Sequence, residues 1–546
     1  MHRRHPSIGQ HRALGGAELD VSIYLGLDSS TQSVTATAID VDGHGRRSIL
    51  FERSFRYDDA LPAYGTRHGV LAAADPKVVH APPLMWSEAL DRMIAELVRD
   101  ADVDWTRLRA ISGSAQQHGS VYVNALARTR LGSLEPALPL ADQIRDVFSR
   151  STSPIWMDSS TTKQCAAIEE AVGGARALAR LTGSRAFERF TGPQIRKFAE
   201  TDGGGYASTD RVHLVSSWLA SLLAGRHAPI DPGDGSGMNL MDLETRAWAA
   251  DAVKATAAGL EAKLPPVAPS WTTVGTLSPY WTKRYSLPPA RVVAWSGDNP
   301  CSLVGTGLVT EGIVAVSLGT SDTIFGIMPT PRPSDDGTGH VFASPTGAYM
   351  GMTVFKNGSL ARERVRDAYR MQWSDFAAAL ERTAPGNRNR TMLPWFDPEI
   401  TPLVLAPGVH RHDLDAADGD GNVRAIIEAQ MMALALHSRW MGVNISTIYA
   451  TGGAAANRAI LQVMADVFDA TVMQLETGNS AALGAALRAF HADRLADGEG
   501  LAWEDVVSGF VTPKADARFE PRPAHVATYR RLLDVYAERE RAALAR

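Results

Sequence analysis

The stretch GLDSSTQSVTATAID, residues 26–40, places a row of small, hydroxyl-bearing and acidic side chains between two apolar runs. The residues before this row are apolar and the residues after it alternate, which is the pattern of two strands joined by a tight turn. A turn rich in glycine, serine and threonine can direct several backbone N–H groups and hydroxyls into one concavity. Such a turn suits a phosphate chain, although the same residues also build ordinary hairpins.

One later stretch repeats this hairpin pattern, and another places a glycine turn between a strand and a helix. GIVAVSLGTSDTIFGIM, residues 312–328, runs from an apolar strand at 313–318 into Gly-Thr-Ser-Asp-Thr and back into apolar residues. ISTIYATGGAAANRAILQVMADVFDA, residues 445–470, runs from an apolar strand through Gly452-Gly453 into an amphipathic helix. Paired glycines let a flat ligand or a phosphate approach the start of a helix, and a plain βα turn is the alternative. No stretch matches G-x-x-x-x-G-K-[ST], so a bound nucleotide requires another fold.

Length and composition limit the classes of protein that fit this sequence. The 546 residues exceed what one hydrophobic core serves and predict two domains. With 45% apolar residues, 21% charged residues and a net charge of −5, the chain has no basic excess for nucleic acid. Two cysteines, Cys165 and Cys301, predict a reducing, cytoplasmic compartment. The longest apolar stretch, at 214–224, is too short for a membrane span.

The order of patterns along the chain predicts its organisation. Residues 1–20 carry charge and histidine without an apolar segment, and are expected to form a disordered leader. Short apolar runs alternate with segments of helical period, which favours an α/β fold. A proline-rich passage precedes the apolar run at 292–295, and the domain boundary is placed there, giving domains 21–288 and 289–546. The irregular stretch 384–422 is expected to be an insertion or a functional loop.

The three turns resemble those of the sugar-kinase, actin and Hsp70 superfamily. Within it the chain resembles the FGGY carbohydrate kinases, and specifically the animal-type branch that acts on D-xylulose. The stretches that carry this resemblance are ISGSAQQHGSVYVN, SPIWMDSSTTKQC, LTGSRAFERFTGPQIRK, IDPGDGSGMNLMD, SGDNPCSLVG and TGNSAALGAALRAFHA. The resemblance covers residues 20–495. It implies two actin-like (ribonuclease H-like) α/β domains, each with a mixed five-stranded sheet, on either side of a cleft.

The resemblance also implies an activity. It predicts ATP- and Mg²⁺-dependent phosphorylation of D-xylulose at its 5-hydroxyl by a monomer or homodimer. Another ketose or polyol, such as ribulose, is an alternative acceptor, because a few side chains can change pocket specificity. A catalytically inactive sugar or nucleotide sensor is a more remote alternative. Sugar binding is expected to draw the domains together and exclude water, because a kinase that admits water hydrolyses ATP.

Two aspartates are candidates for the chemistry of phosphoryl transfer, which needs a carboxylate near the acceptor hydroxyl and a cation on the phosphates. Asp298, in WSGDNP after the strand at 292–295, is the predicted general base, although Asp-Asn-Pro is also a helix cap. The resemblance implies the base role. Asp28, where the first strand meets its turn, can hold Mg²⁺ through water or can merely shape the hairpin as an Asx turn.

The resemblance assigns the remaining contacts. It places His118, Arg189 and Asn299 with Asp298 at the sugar. From the residues alone, His118 is equally a hydrogen-bonded histidine near a strand end, and Arg189, four residues after Arg185, is typical of a solvated helix face. The nucleotide contacts that follow from the turns and the resemblance are Thr31, Gly319, Thr320 and Ser321 at the phosphates, Gly452, Gly453 and Asn457 at the adenosine, and Trp373 at the base. Trp373 is alternatively a core aromatic residue on a helix.

Overall fold

Two mixed sheets of seven strands each organise the chain. The computed structural model describes residues 22–42, 46–100, 102–475 and 478–545, and the predicted leader at 1–20 lies outside these ranges. Each sheet contains one of the two hairpins found in the sequence, followed by parallel strands. The predicted class, two α/β domains, is confirmed.

The first sheet contains the first hairpin. Its strands are β1 (Ser22–Ser29), β2 (Ser33–Val41), β3 (Arg47–Arg56), β4 (Leu108–Ala115), β5 (Thr273–Thr276), β6 (Arg291–Val293) and β7 (Ser296–Gly297). Their order is β3-β2-β1-β4-β6-β5, and β7 also pairs with β4. The pair β1–β2 is antiparallel, whereas β4 runs parallel to β1, β6 and β7. The carboxyl ends of β1, β4 and β7 therefore meet at one edge of the sheet.

The second sheet repeats this arrangement. Its strands are β8 (Ile313–Leu318), β9 (Asp322–Met328), β10 (His340–Ala343), β11 (Tyr349–Phe355), β12 (Thr447–Thr451), β13 (Thr471–Gln474) and β14 (Arg518–Phe519). Their order is β10-β11-β9-β8-β12-β13-β14. The hairpin β8–β9 is antiparallel, and β12 runs parallel to both β8 and β13. The turn after β8 and the glycine turn after β12 consequently lie at the same edge.

Two details differ from the expectation. Each sheet has seven strands and not five, because short strands extend it: β5 and β7 in the first sheet, β10 and β14 in the second. The proposed boundary at residues 288–289 falls before β6 and β7, both of which pair with β4. The proline-rich passage contains β5, which pairs with β6, so it forms an edge of the first sheet. The first strand of the second sheet along the chain is β8, which begins at Ile313.

Helices pack against both sheets. Those of eight or more residues are α1 (Pro83–Leu97), α2 (Thr162–Ala171), α3 (Ala175–Thr182), α4 (Thr191–Thr201), α5 (Val215–Ala224), α6 (Asp298–Gly305), α7 (Ser359–Ala368), α8 (Trp373–Arg382), α9 (Gly419–His437), α10 (Arg458–Phe468), α11 (Ser480–Ala496) and α12 (Pro523–Leu544). Shorter helices span Tyr57–Ala60, Leu126–Gly132, Leu140–Ile144, Gly203–Ser208, Pro232–Gly235, Ala250–Thr256, Pro279–Tyr285 and Trp503–Val507. Among the described residues, none of these helices has the length and hydropathy that a membrane crossing needs.

Smaller antiparallel pairs complete the fold. Ser120–Val123 pairs with Arg211–Leu214, and His80–Ala81 pairs with Ser153–Pro154. The irregular stretch 384–422 contains a further pair, Thr391–Trp395 with Gly408–His412. The expected insertion therefore includes a hairpin.

Helix α11 is late in the chain but packs on the first sheet. A Cβ on Gly26 of β1 would lie 2.0 Å from the carbonyl oxygen of Ala482, so only glycine permits this approach. Where α11 crosses α6, a Cβ on Gly484 would lie 1.9 Å from the carbonyl oxygen of Cys301. These close contacts fix α6, the helix that begins at Asp298, against the sheet.

Candidate active site

Asp28 lies at the edge where β1, β4 and β7 end. In the parallel register Asp28 is opposite Ser114 of β4, and Ser114 is opposite Ser296 of β7. The Asp28 carboxylate is buried, and its Oδ1 accepts a hydrogen bond of 2.8 Å from the Ser114 hydroxyl. Hydrogen bonding to the neighbouring strand β4 fixes the position of this carboxylate.

Asp298 follows β7 as the first residue of α6, one position after the N-cap Gly297. Its Oδ1 accepts a 2.8 Å hydrogen bond from the backbone N–H of Asn299 and a 3.3 Å bond from that of Gln117. The side chain of Gln117 accepts a 2.8 Å bond from the Asn299 amide. The backbone of two chain segments therefore donates to one oxygen of this carboxylate, which a helix cap alone does not require.

The two aspartates are electrostatically linked. Burial raises the pKa of Asp298 to about 6, against the hydrogen bonds from backbone N–H groups that lower it. Burial, and then the charge of Asp298, raise the pKa of Asp28 to about 7. Raised carboxyl pKa values of this size are typical of groups that exchange protons or meet a cation near neutral pH.

His118 follows β4 in a left-handed backbone conformation, with φ of 71°. Its Nδ1 lies 2.8 Å from the carbonyl oxygen of Gly237, and its ring centroid lies 4.5 Å from that of Phe190. Burial, and then the positive charge of Arg189, lower the pKa of His118 to about 3. The imidazole is therefore neutral, and because its Nδ1–H donates to Gly237, its Nε2 can accept a hydrogen bond from a hydroxyl.

Arg189 reaches the same cluster from a non-helical segment. Its guanidinium lies 4.8 Å from the Phe187 ring centroid and 5.4 Å from that of Phe190, and its Nη2 lies 2.9 Å from Nε2 of His340. The Nε of Arg185 instead lies 3.5 Å from Oε1 of Glu169. The two arginines do not share a solvated helix face, and Arg189 joins a cluster that contains His118.

The turn after β8 and the glycine turn after β12 line one cavity of about 800 Å³. It is lined by Gly319, Thr320, Trp373, Gly453 and Asn457, together with residues of α7, α8 and α10. Ser321 and Gly452 each adjoin a lining residue but do not line the cavity themselves. Its size is that of a pocket for a small organic ligand.

Trp373 is the first residue of α8 and is 44% exposed in the cavity wall. The guanidinium of Arg366 lies 4.6 Å from its ring centroid. The alternative of a core aromatic residue is therefore wrong. An exposed indole face at a cavity can stack on a flat ring.

The glycine turn leads into α10. Gly452 has φ of 86°, and a Cβ there would lie 2.6 Å from the carbonyl oxygen of Leu318, so this position requires glycine. At Gly453 a Cβ would meet nothing within 4 Å. Asn457 caps α10, since its Oδ1 accepts from the N–H groups of Ala459 and Ile460 at 3.0 and 3.2 Å. The cap uses only the oxygen of this amide.

A buried ion pair supports the turn that follows β8. The carbonyl oxygen of Gly319 accepts a 2.8 Å hydrogen bond from the N–H of Ser359 and a 3.3 Å bond from Nη2 of Arg362. Arg362 also donates to both carboxylate oxygens of Asp322, at 2.7 and 3.0 Å, and both side chains are buried. In the first turn, the Thr31 hydroxyl accepts a 2.8 Å bond from the Trp156 indole.

Three polar residues near the site were not singled out from the sequence. His340, on β10 of the second sheet, contacts Arg189, and Gln117 contacts both Asp298 and Asn299. Asp234 accepts a 2.5 Å bond from Ser216, but its buried Oδ1 has no hydrogen-bond partner within the part of the chain that the structure describes. No local motif marks His340, whereas Asp234 lies in the stretch IDPGDGSGMNLMD that carries the family resemblance. Gln117 adjoins the candidate His118 in the stretch ISGSAQQHGSVYVN, and this adjacency is the signal by which it could have been found.

Comparisons with known proteins agree with this geometry. Residues 151–305 match the N-terminal domain of the FGGY family of carbohydrate kinases, and residues 314–492 match the C-terminal domain. A xylulose kinase of Rattus norvegicus is 45% identical over 535 residues, which cover 96% of this chain and 97% of that protein. Two solved structures share the fold with a TM-score of 0.78. A xylulose kinase of Brucella ovis is 22% identical and covers 96% of this chain and 99% of its own. A gluconate kinase of Lactobacillus acidophilus is 18% identical and covers 96% and 98%.

Proposed function

The chain belongs to the FGGY family of carbohydrate kinases, and we propose that it transfers the γ-phosphoryl group of ATP to the 5-hydroxyl of D-xylulose. One observation carries the proposal. The Asp298 carboxylate accepts hydrogen bonds from the backbone N–H groups of Gln117 and of Asn299, which lies at the start of α6. Gln117 adjoins His118 in the sequence. A carboxylate that backbone groups hold in place in this way suits the deprotonation of a sugar hydroxyl.

In the proposed reaction, Asp298 acts as general base. The sugar hydroxyl donates a hydrogen bond to the carboxylate, and its proton passes to Asp298 as the oxygen attacks the γ-phosphorus. The bond between that phosphorus and the bridging oxygen of ADP breaks in line with the attack. The protein contributes mainly by positioning the two substrates, so the backbone hydrogen bonds to Asp298 matter as much as its charge.

Asp28 is the residue that would hold Mg²⁺. The donor set fits this ion, since a buried carboxylate with a raised pKa gains from a nearby cation, and Mg²⁺ takes one or two carboxylates plus phosphate and water oxygens. Within the described ranges no three metal-ligating side chains gather, as is typical of magnesium bound chiefly through a nucleotide. The ion would neutralise charge on the transferring phosphoryl group. Asp28 and Ser114 fix the point at which it is held.

The nucleotide is proposed to bind at the two turns of the second domain. Gly319, Thr320 and Ser321 would contact the phosphates, with Thr31 of the first hairpin opposite, and Gly452, Gly453 and Asn457 would border the adenosine. Trp373 would stack on the base. The cavity that joins Gly319, Thr320, Trp373, Gly453 and Asn457 supports this arrangement.

The sugar is proposed to bind at His118, Arg189 and Asn299. We expect His118→Ala to raise KM for D-xylulose by about tenfold or more, because it leaves a sugar hydroxyl in a closed site without its partner, at a cost of about 1–3 kcal/mol. KM for ATP should stay within about twofold, since the loss is a single sugar contact. Steady-state kinetics with each substrate varied in turn measures both constants.

His68→Ala is the matched control, because His68 also has a left-handed backbone, with φ of 56°, but is exposed. His118→Asn tests whether the backbone or the ring matters, since asparagine tolerates this conformation. An effect of His118→Ala confined to KM for ATP would place His118 outside the sugar site.

The pH dependence of kcat/KM for the sugar follows from the raised pKa of Asp298. The base must be deprotonated to act, so kcat/KM is low below the pKa of Asp298, about 6, and is constant above it. The inflection belongs to Asp298, because a Mg²⁺ ion at Asp28 would hold that carboxylate ionised across this range. A pH-rate profile from 5 to 8.5 at saturating Mg-ATP should rise to a plateau near pH 7.5. A flat profile down to pH 5 would contradict the role of Asp298.

The choice of acceptor is tested with a panel of sugars. The kcat/KM for D-xylulose should exceed that for each of the other acceptors by about tenfold or more, which corresponds to one or two specific contacts. The other acceptors are D-ribulose, L-ribulose, L-xylulose, glycerol and gluconate. Gluconate is included because a gluconate kinase shares the fold. A different preferred acceptor would keep the mechanism and change the substrate, whereas no turnover with any acceptor would favour the inactive sensor.

We further propose a cytoplasmic monomer or homodimer. Both cysteines, Cys165 and Cys301, are free and buried, which supports a reducing compartment. Closure of the two domains on sugar binding stays a prediction, and small-angle scattering with and without D-xylulose and an ATP analogue measures it.

A further inference from the structure

A second cavity adjoins the proposed nucleotide site. Its volume is about 830 Å³, and Glu381, Arg458 and Ala459 line both cavities. The wall of this second cavity is rich in cations: Arg382, Arg424, Arg458, Arg518, Arg522 and His525. Its two acidic lining residues are Glu381 and Asp466.

Three of the five arginines are already engaged. Arg382 forms an ion pair of 2.8 Å with Asp420, and Arg518 forms one of 2.6 Å with Glu520. Arg424 donates to the carbonyl oxygens of Leu380 and Thr383 at the end of α8. These three side chains therefore shape the cavity wall, and their charges are largely compensated.

Arg458 and Arg522 are different. Arg458 donates to the carbonyl oxygen of Asp516 at 3.1 Å, and its guanidinium lies 4.8 Å from the Phe519 ring centroid. The Arg522 guanidinium forms no hydrogen bond or ion pair with the residues that the structure describes. Neither guanidinium has a carboxylate within ion-pair distance among those residues, so both charges are available to an anion.

Among the described residues, the carboxylate of Asp466 pairs with His525 and with neither of the two guanidinium groups. Its Oδ1 accepts from the backbone N–H of Arg522 at 2.8 Å, and its Oδ2 lies 2.9 Å from Nδ1 of His525. Asp466 is thus occupied by the start of α12 and by the histidine. Arg458 begins α10 and Arg522 caps α12, so the positive ends of two helix dipoles also border the cavity.

We propose that this cavity binds the phosphate group of a small organic phosphate, held by the guanidinium groups of Arg458 and Arg522. The planar fork of arginine matches phosphate oxygens, and the cavity has room for the organic part of the molecule. A sugar phosphate and a nucleoside monophosphate both carry this group. Arg522 lines only this cavity, whereas Arg458 also lines the proposed nucleotide cavity, so the two cavities share part of one wall.

Calorimetric titration of the full-length protein tests the proposal. The nucleotide site is first saturated with Mg²⁺ and a non-hydrolysable ATP analogue, and inorganic phosphate, glucose 6-phosphate and AMP are then titrated separately. We expect one molecule of at least one organic phosphate to bind per chain, more tightly than inorganic phosphate. A preference for glucose 6-phosphate or for AMP identifies the organic part that the cavity accepts.

Arg522→Gln should weaken this binding by about tenfold or more, because it removes a charge-assisted hydrogen bond. The Arg522 backbone contact to Asp466 remains in this variant. Arg531→Gln is the matched control, since Arg531 lies exposed on the same helix, outside the cavity. Arg458→Gln is the second variant, and circular dichroism verifies that each variant is folded.

Two results would overturn the proposal. One is the absence of binding by all three probes at millimolar concentration. The other is binding that neither Arg522→Gln nor Arg458→Gln weakens. The titration contains no acceptor sugar and measures no turnover, so its outcome is independent of the proposed kinase reaction.

Discussion

Asp298→Ala is expected to lower kcat by about 10³-fold or more, at the upper end of what general base catalysis contributes. The variant should bind ATP with nearly unchanged affinity, because the proposed nucleotide cavity is built from other segments. Asp298→Asn should lose a comparable amount, since its side-chain oxygen can still accept from the N–H groups of Gln117 and Asn299 but cannot take a proton. Comparing the two variants separates the loss of the base from the loss of the hydrogen bonds.

Asp251→Ala is the matched control for this experiment. Asp251 is an acidic residue in the first turn of the helix Ala250–Thr256 and is exposed, so its removal repeats the change of helix charge without touching the site. Near-normal turnover of Asp298→Ala, measured as ADP release at saturating substrates, would remove Asp298 from the base role. Loss of ATP binding in a folded variant would assign it to the nucleotide instead.

Asp28→Asn is expected to lower kcat by about 10²–10³-fold, the cost of removing one preorganised electrostatic contact from a reacting phosphoryl group. The concentration of Mg²⁺ needed for half-maximal activity should rise, whereas KM for the sugar should change little. Asparagine keeps the hydrogen bond from Ser114, so the fold is preserved. Kinetics with Mg²⁺ varied at constant Mg-ATP measures this shift.

The comparison variant is Asp40→Asn, because Asp40 is the penultimate residue of the neighbouring strand β2 and lies outside the site. Turnover of Asp28→Asn within threefold of the parent protein would leave Asp28 as a residue that only shapes the hairpin. A raised KM for sugar with an unchanged response to Mg²⁺ would assign it to the acceptor.

The hairpins and the glycine turn could be predicted because their patterns are local. An apolar run, a row of Gly, Ser and Thr, and a second apolar run specify strand, turn and strand, and β8 has the predicted bounds, residues 313–318. Gly452 needs its positive φ, whereas Gly453 has room for a side chain, a difference that the sequence does not reveal. The exposure of Trp373 could not be predicted either, because a tryptophan on a helix is also compatible with a position in the core.

Features that depend on distant segments could not be predicted. Packing of α11 on β1 rests on Gly26 and Ala482, which are far apart in sequence. The edge strands β5 and β14 are short, and their sequences do not stand out from turns. His340 reaches Arg189 from the second sheet, so only the folded chain brings them together. The proline-rich passage indicated a boundary, but pairing with β6 made it part of the first sheet.

Analysis of the product by phosphorus and proton NMR tests the central claim most directly. The purified protein is incubated with ATP, Mg²⁺ and D-xylulose, and the position of the new phosphate ester is read from its coupling to the sugar protons. We predict one sugar monoester per ADP formed, coupled to the two protons on C5. An ester at another carbon, or ADP with inorganic phosphate and no sugar ester, would contradict the account.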